Sequence, residues 1–159
     1  MSRYTRIAAL AASNSERFFA HRDHCTQVAN LIIGRFAEYL EAPESALHFI
    51  ELDSELKLTR TQTDSPKLEQ GRDGYWYFGL QVHFADSKQR GFSDSFLKFG
   101  VKVDCTHCSV KLDTAFAVDL TKLETLDPVF EDIVQSYEAY YSAAPSALPR
   151  SIGFFLPVE

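Results

Sequence analysis

Apolar side chains recur at every second position in four stretches of the chain, and this pattern constrains the fold more than any other feature. A β-strand points successive side chains to opposite faces, so a period of two predicts strands with one buried and one solvated face. Parallel strands would need helical crossovers between them, which favours an antiparallel meander. The four predicted strands cover residues 50–58, 75–84, 97–105 and 108–119.

Two stretches with helical spacing flank the predicted sheet. Residues 13–15 (Ser-Asn-Ser) are good N-cap residues for a helix that runs to about Glu41 and is ended by Pro43. A second helix begins at a Thr121–Glu124 capping box or at Asp127-Pro128, and it ends near residue 142. The prediction is a single α+β domain over residues 1–159, in the order α-β-β-β-β-α, with both helices on one face of the four-stranded sheet.

The two ends of the chain carry weaker patterns. Residues 1–12 fit a first helical turn or a frayed arm, because the apolar run there is too short for the core of a secretory signal. Prolines at 145, 149 and 157 predict an extended tail over residues 144–159. This apolar tail is a candidate for an added strand along a sheet edge.

Charge and composition exclude several classes of protein. The chain has 159 residues with a net charge of −6, which argues against binding nucleic acid through phosphates. The uninterrupted apolar stretches are too short to cross a bilayer, so no membrane partner is expected. Three cysteines, an odd number, do not form a disulfide scaffold, which favours a cytoplasmic protein with reduced thiols.

Residues 105–108 (Cys-Thr-His-Cys) form a CxxC pattern between the third and fourth predicted strands. The strand patterns place Cys105 and Cys108 opposite each other and facing the core, where free cysteines usually act as small hydrophobes that need no cofactor. The alternative is a zinc site. Helix and strand lengths of about 30 Å each bring His21 and Cys25 to the same end of the sheet, which completes a Cys3His ligand set.

Glu55-Leu56-Lys57 has the ExK pattern of some metal-dependent nucleases and hydrolases. Such a site needs a further acid upstream, and only residues 38, 41 and 44 supply one nearby. A solvated strand face explains both charges without any chemistry. The chain has no G-x-S-x-G motif, P-loop or dinucleotide-binding glycine pattern, so the sequence favours a protein that is not an enzyme.

The aromatic run at residues 75–78 indicates a surface for binding. Tyr75 and Tyr77 fall on the face opposite the predicted core, together with Gln81 and His83, and tyrosines with polar handles are common at interfaces. The sequence therefore predicts a small acidic binding or regulatory module. Its partner is another protein or a second copy of itself, as a homodimer, bound through this face or a sheet edge.

Overall fold

A computed structural model describes residues 1–85, 92–105, 107–142 and 155–157 of the chain. Two helices, two short 3₁₀ turns at 44–46 and 123–126, and eight strands lie within these residues. The helices are α1 (Arg3–Leu40) and α2 (Asp127–Ser142). The strands are β1 (Leu47–Leu52), β2 (Leu58–Thr63), β3 (Glu69–Gln70), β4 (Trp76–Ala85), β5 (Phe92–Asp104), β6 (His107–Lys111), β7 (Ala115–Asp119) and β8 (Phe155–Pro157).

All strand pairs are antiparallel, and six strands form one continuous order, β2-β1-β4-β5-β6-β7. The short strand β3 pairs with β4, and β8 pairs with β5. The structure confirms the α+β class and an antiparallel sheet, with one helix before it and one after most of its strands along the chain. The prediction of four strands is wrong, because the described residues contain more.

The first and fourth predicted strands are each interrupted by a turn. The Asp53 carboxylate accepts hydrogen bonds from the backbone N–H groups of Glu55 and Lys57, and Leu56 has a φ of 61°, so the chain reverses between β1 and β2. The turn between β6 and β7 is closed by a bond from the N–H of Leu112 to the carbonyl of Thr114. Both turns contain an aspartate followed by a hydroxyl residue, which is a turn signal. The apolar alternation continues across both turns, so the sequence pattern predicted one strand in each place.

Both helices pack on one face of the sheet, where a single core joins them. Phe36 of α1 lies 5.1 Å from Phe130 of α2 and 6.5 Å from Phe99 of β5, measured between ring centroids. In β1, however, the predicted face is wrong: Ile50 pairs with Gly79 on the face away from the helices, and Phe49 packs on Phe78 in the core. The missing side chain of Gly79 leaves the space that Ile50 fills, which allows this reversed alternation.

Helix α1 begins ten residues before the predicted cap. The Ser2 hydroxyl accepts a hydrogen bond from the N–H of Thr5, which satisfies one of the free donors of the first turn. Residues 3–12 are therefore helical, not a frayed arm. The helix ends at Leu40, and Glu41 follows as its C-cap in a left-handed conformation with a φ of 51°, two residues before Pro43. The Asp127-Pro128 start of α2 is confirmed.

Within the predicted tail, the structure describes residues 155–157, which form the strand β8. Phe155 pairs with Leu97 and Pro157 pairs with Ser95, so β8 is an added strand on β5. The remaining residues between 143 and 159 lie outside the described residues, as do residues 86–91. Among the described helices, none is both long and apolar enough to span a membrane.

Candidate functional site

The sheet face opposite the helices carries two tyrosines side by side. The ring centroids of Tyr75 and Tyr77 are 6.2 Å apart, and Gly100 lies beside both rings. A Cβ atom at Gly100 would lie 2.7 Å from a ring carbon of Tyr77 and 3.3 Å from one of Tyr75. The glycine lets the rings lie flat on the sheet, and Tyr77 is buried although it faces away from the helices.

Three lysines surround the two rings. The Lys98 ammonium lies 5.5 Å from the ring centroid of Tyr77, and those of Lys102 and Lys111 lie 5.6 and 5.3 Å from the ring centroid of Tyr75. These are cation–π distances. We call these five residues the tyrosine–lysine face. It concentrates positive charge on a chain whose net charge is −6.

Asp73 holds one end of the face together. Its carboxylate accepts hydrogen bonds from the Tyr77 hydroxyl (2.5 Å) and from the Lys111 ammonium (3.2 Å). Desolvation raises the pKa of Asp73, but the hydrogen bonds from Tyr77 and Lys111 outweigh it, and the net result is a pKa below the usual value. Asp73 is therefore ionised at neutral pH and offsets the charge of Lys111.

The other two lysines have no carboxylate partner among the described residues. Lys98 donates to the backbone carbonyl of Leu56 (3.2 Å), and Lys102 donates to that of Asp73 (3.5 Å). Lys98 and Lys102 are four positions apart on β5, which corresponds to about 13 Å along a strand. They leave two positive charges on either side of Gly100, at a spacing that suits two carboxylates of an extended chain.

A cleft of about 650 Å³ opens beside Lys98. The turn between β1 and β2 forms one wall, and the segment before β4, with Arg72 and Asp73, forms the other. Its lining contains Ser54, Glu55, Leu56, Gln70, Gly71, Arg72, Asp73, Tyr77 and Lys98. The cleft borders the tyrosine–lysine face and adds one cation, Arg72, and one further carboxylate, Glu55.

Of the four predicted surface residues, Tyr77, Gln81 and His83 lie in β4, and Tyr75 lies one residue before this strand begins. Gln81 accepts a hydrogen bond from the Gln62 amide (2.9 Å), and His83 Nδ1 lies 2.5 Å from the Asp94 carboxylate. Both are thus engaged within the sheet, whereas Tyr75 and Tyr77 lie among the lysines. The lysines were missed as site residues, although Lys98 and Lys102 alternate with the core positions of β5 in the same way as the tyrosines in β4.

The four candidate zinc ligands lie near the same end of the sheet, but not all face one point. His21 Nε2 lies 3.7 Å from Cys25 Sγ, and Cys25 and Cys108 are both buried in the core. Cys105 does not face the core as predicted. It is exposed at the start of the β5–β6 turn with a φ of 54°, because Val103, not Cys105, pairs with Cys108. In the described part of the chain, no three His, Cys, Asp or Glu side chains form a group suited to a metal.

The predicted ExK pair lies in a turn, not on a strand. Glu55 and Lys57 form an ion pair with each other (2.6 Å), and both side chains are about 70% exposed. An exposed pair of this kind stabilises a fold little. The upstream acid Glu38 contacts Arg35, so nothing in this arrangement adds to the nuclease hypothesis.

Comparison with known proteins supplies no relative. No family model, no curated protein and no solved structure matches the chain.

Proposed function

We propose that the protein is a non-enzymatic binding module that holds an acidic, extended segment of a partner protein on the tyrosine–lysine face. The observation that carries this proposal is the pair Lys98 and Lys102, whose hydrogen-bond acceptors within the described residues are all backbone carbonyls. A carboxylate can replace these contacts with hydrogen bonds in which donor and acceptor are both charged, which are stronger than those from an ammonium to a neutral carbonyl.

The surroundings of the two lysines favour a peptide over a small anion. The tyrosine rings offer flat apolar area with a polar edge, a combination enriched at protein interfaces. The Lys98 ammonium lies over the Tyr77 ring and that of Lys102 over the Tyr75 ring, so the two charges are held at different points of the face. A strand-like segment with acidic side chains on one face would place its carboxylates beside Lys98 and Lys102, with the methylene groups of those side chains and the peptide backbone over the rings.

The direct test uses a fluorescent nine-residue peptide of alternating Glu and Thr, with a peptide of alternating Lys and Thr as the charge-reversed probe. We expect fluorescence anisotropy to detect binding of the acidic peptide alone, and the affinity to fall as salt screens the charges. Combined Lys98→Gln and Lys102→Gln substitutions should weaken binding at least about tenfold, since two charge-assisted contacts are lost.

The matched control replaces two exposed lysines outside the face, Lys67→Gln and Lys122→Gln, with the same change in net charge. It should leave the affinity within about twofold of the unmodified protein. Equal losses in the two double variants would mean that only net charge matters, and binding of both peptides alike would mean no specific face. Either result contradicts the proposal.

A further inference from the structure

The cleft beside Lys98 lies between two turns whose backbones are held by hydrogen bonds. On one side, the carbonyl of Gly71 accepts a bond from the N–H of Gly74 (3.2 Å), and the N–H of Gly71 donates to the carbonyl of Tyr75 (2.8 Å). On the other side, the Lys98 ammonium donates to the Leu56 carbonyl (3.2 Å), which ties the turn between β1 and β2 to β5. Walls fixed in this way lose little freedom when a ligand binds.

Charged side chains of both signs line the cleft. They are Glu55, Asp73, Arg72 and Lys98. The Glu55 carboxylate forms an ion pair with Lys57 (2.6 Å). The Asp73 carboxylate forms one with Lys111 (3.2 Å). Both carboxylates are therefore offset by lysines that lie outside the lining of the cleft.

Arg72 and Lys98 carry the positive charge that remains in the cleft. Arg72 is exposed and has no carboxylate partner among the described residues. The acceptor for Lys98 there is a neutral carbonyl. A single carboxylate would offset only one of these two cations, so the cleft favours a group with two negative charges.

A phosphate monoester has the charge and the shape that this pair of cations requires. At neutral pH it carries a charge of about −1.5 to −2 and offers three strong acceptor oxygens. The planar guanidinium of an arginine can bind two of these oxygens at once, and a lysine ammonium supplies a point charge beside them. The cleft, at about 650 Å³, has room for a phosphorylated side chain.

We propose that the cleft binds a phosphorylated side chain of the acidic segment, with the phosphate between Arg72 and Lys98. This inference rests on the proposed function, because Lys98 belongs both to the cleft and to the tyrosine–lysine face. Residues four apart in an extended segment span about 13 Å and point to the same side, which matches the spacing of Lys98 and Lys102 on β5. The phosphorylated residue therefore lies four positions from an acidic residue that contacts Lys102.

A phosphorylated form of the nine-residue Glu–Thr peptide, begun and ended with Glu, tests this inference. Phosphothreonine replaces the central Glu, so a Glu lies four positions away on both sides and either chain direction gives the required spacing. We expect fluorescence anisotropy to show binding at least about fivefold tighter than that of the parent peptide. A peptide with unphosphorylated threonine at the centre should bind no more tightly than the parent.

Two arginine variants of the full chain locate the phosphate. Arg72→Gln should remove the gain from phosphorylation and keep the affinity for the parent peptide within about twofold, because Arg72 is not part of the tyrosine–lysine face. Arg6→Gln is the matched control. It makes the same change in net charge in the exposed first half of α1, so it should keep the gain.

Three results would overturn the inference and leave the proposed function standing. The first is equal affinity for the phosphorylated and the parent peptide, and the second is an equal loss in Arg72→Gln and Arg6→Gln. The third is displacement of the phosphorylated peptide by free phosphothreonine as effectively as by unlabelled peptide, which would show a site for small phosphate esters. The proposed function fails separately, if the parent peptide binds no better than its lysine counterpart.

Discussion

Tyr77 is the residue on which the tyrosine–lysine face depends. Its ring lies between two glycines: a Cβ atom at Gly71 or at Gly100 would lie 2.6 or 2.7 Å from it. Its hydroxyl donates a hydrogen bond to the Asp73 carboxylate, which also accepts one from the Lys111 ammonium. A ring held on both sides and at its tip has little freedom, so it presents a fixed surface to a ligand at little entropic cost.

The three cysteines should differ sharply in reactivity. Burial raises the pKa of the Cys25 and Cys108 thiols to about 11, and Cys105 is exposed. The thiolate is the reactive form, so at pH 8 we expect an alkylating reagent to modify Cys105 within minutes and the two buried thiols only on unfolding. Mass spectrometry of peptides from the labelled protein would measure this.

A chelator adds a test of the zinc hypothesis to the same experiment. If Cys105 reacts at the same rate with and without chelator, and metal analysis finds no zinc, the four-ligand site is excluded. Protection of Cys105 that is lost on chelation would instead show a metal held by this thiol.

The raised pKa values of Cys25 and Cys108 also predict that the free energy of unfolding falls as pH rises from about 9 towards 11. The reason is that these thiols ionise at lower pH in the unfolded chain than in the folded one.

Within the helices and strands, replacing a glycine by alanine should change the free energy of unfolding in opposite directions at two positions. Gly34 lies inside α1 with nothing within 4 Å of the Cβ position, so Gly34→Ala should raise the free energy of unfolding by about 1 kcal/mol. Gly100→Ala drives a methyl group into the Tyr77 ring, which cannot move away, and should lower it by about 1–3 kcal/mol. Urea unfolding of both variants measures the two changes in the free energy of unfolding. A lower free energy of unfolding for Gly34→Ala would mean that the helix needs close contact there.

The elements also show what the sequence could predict. Alternation identified β4 and β5 and placed Tyr75 and Tyr77 away from the helices, because both strands are long and their core residues regular. It failed in the turn at Asp53 and at Ile50, where a glycine on the neighbouring strand accepts a side chain on the unexpected face. The cluster of lysines depends on pairing β4 with β5 and β6, which no local pattern reveals.

For the whole molecule, the tyrosine–lysine face and the exposed part of α1 are separate. The tyrosine–lysine face lies on one side of the sheet, and α1 packs on the other. Sites that share no residues should contribute additively. We therefore expect Ala11→Glu, in the exposed first half of α1, to leave the affinity for the Glu–Thr peptide within about twofold of the unmodified protein, as measured by fluorescence anisotropy. A loss as large as that of the combined Lys98→Gln and Lys102→Gln substitutions would instead place α1 in the binding site.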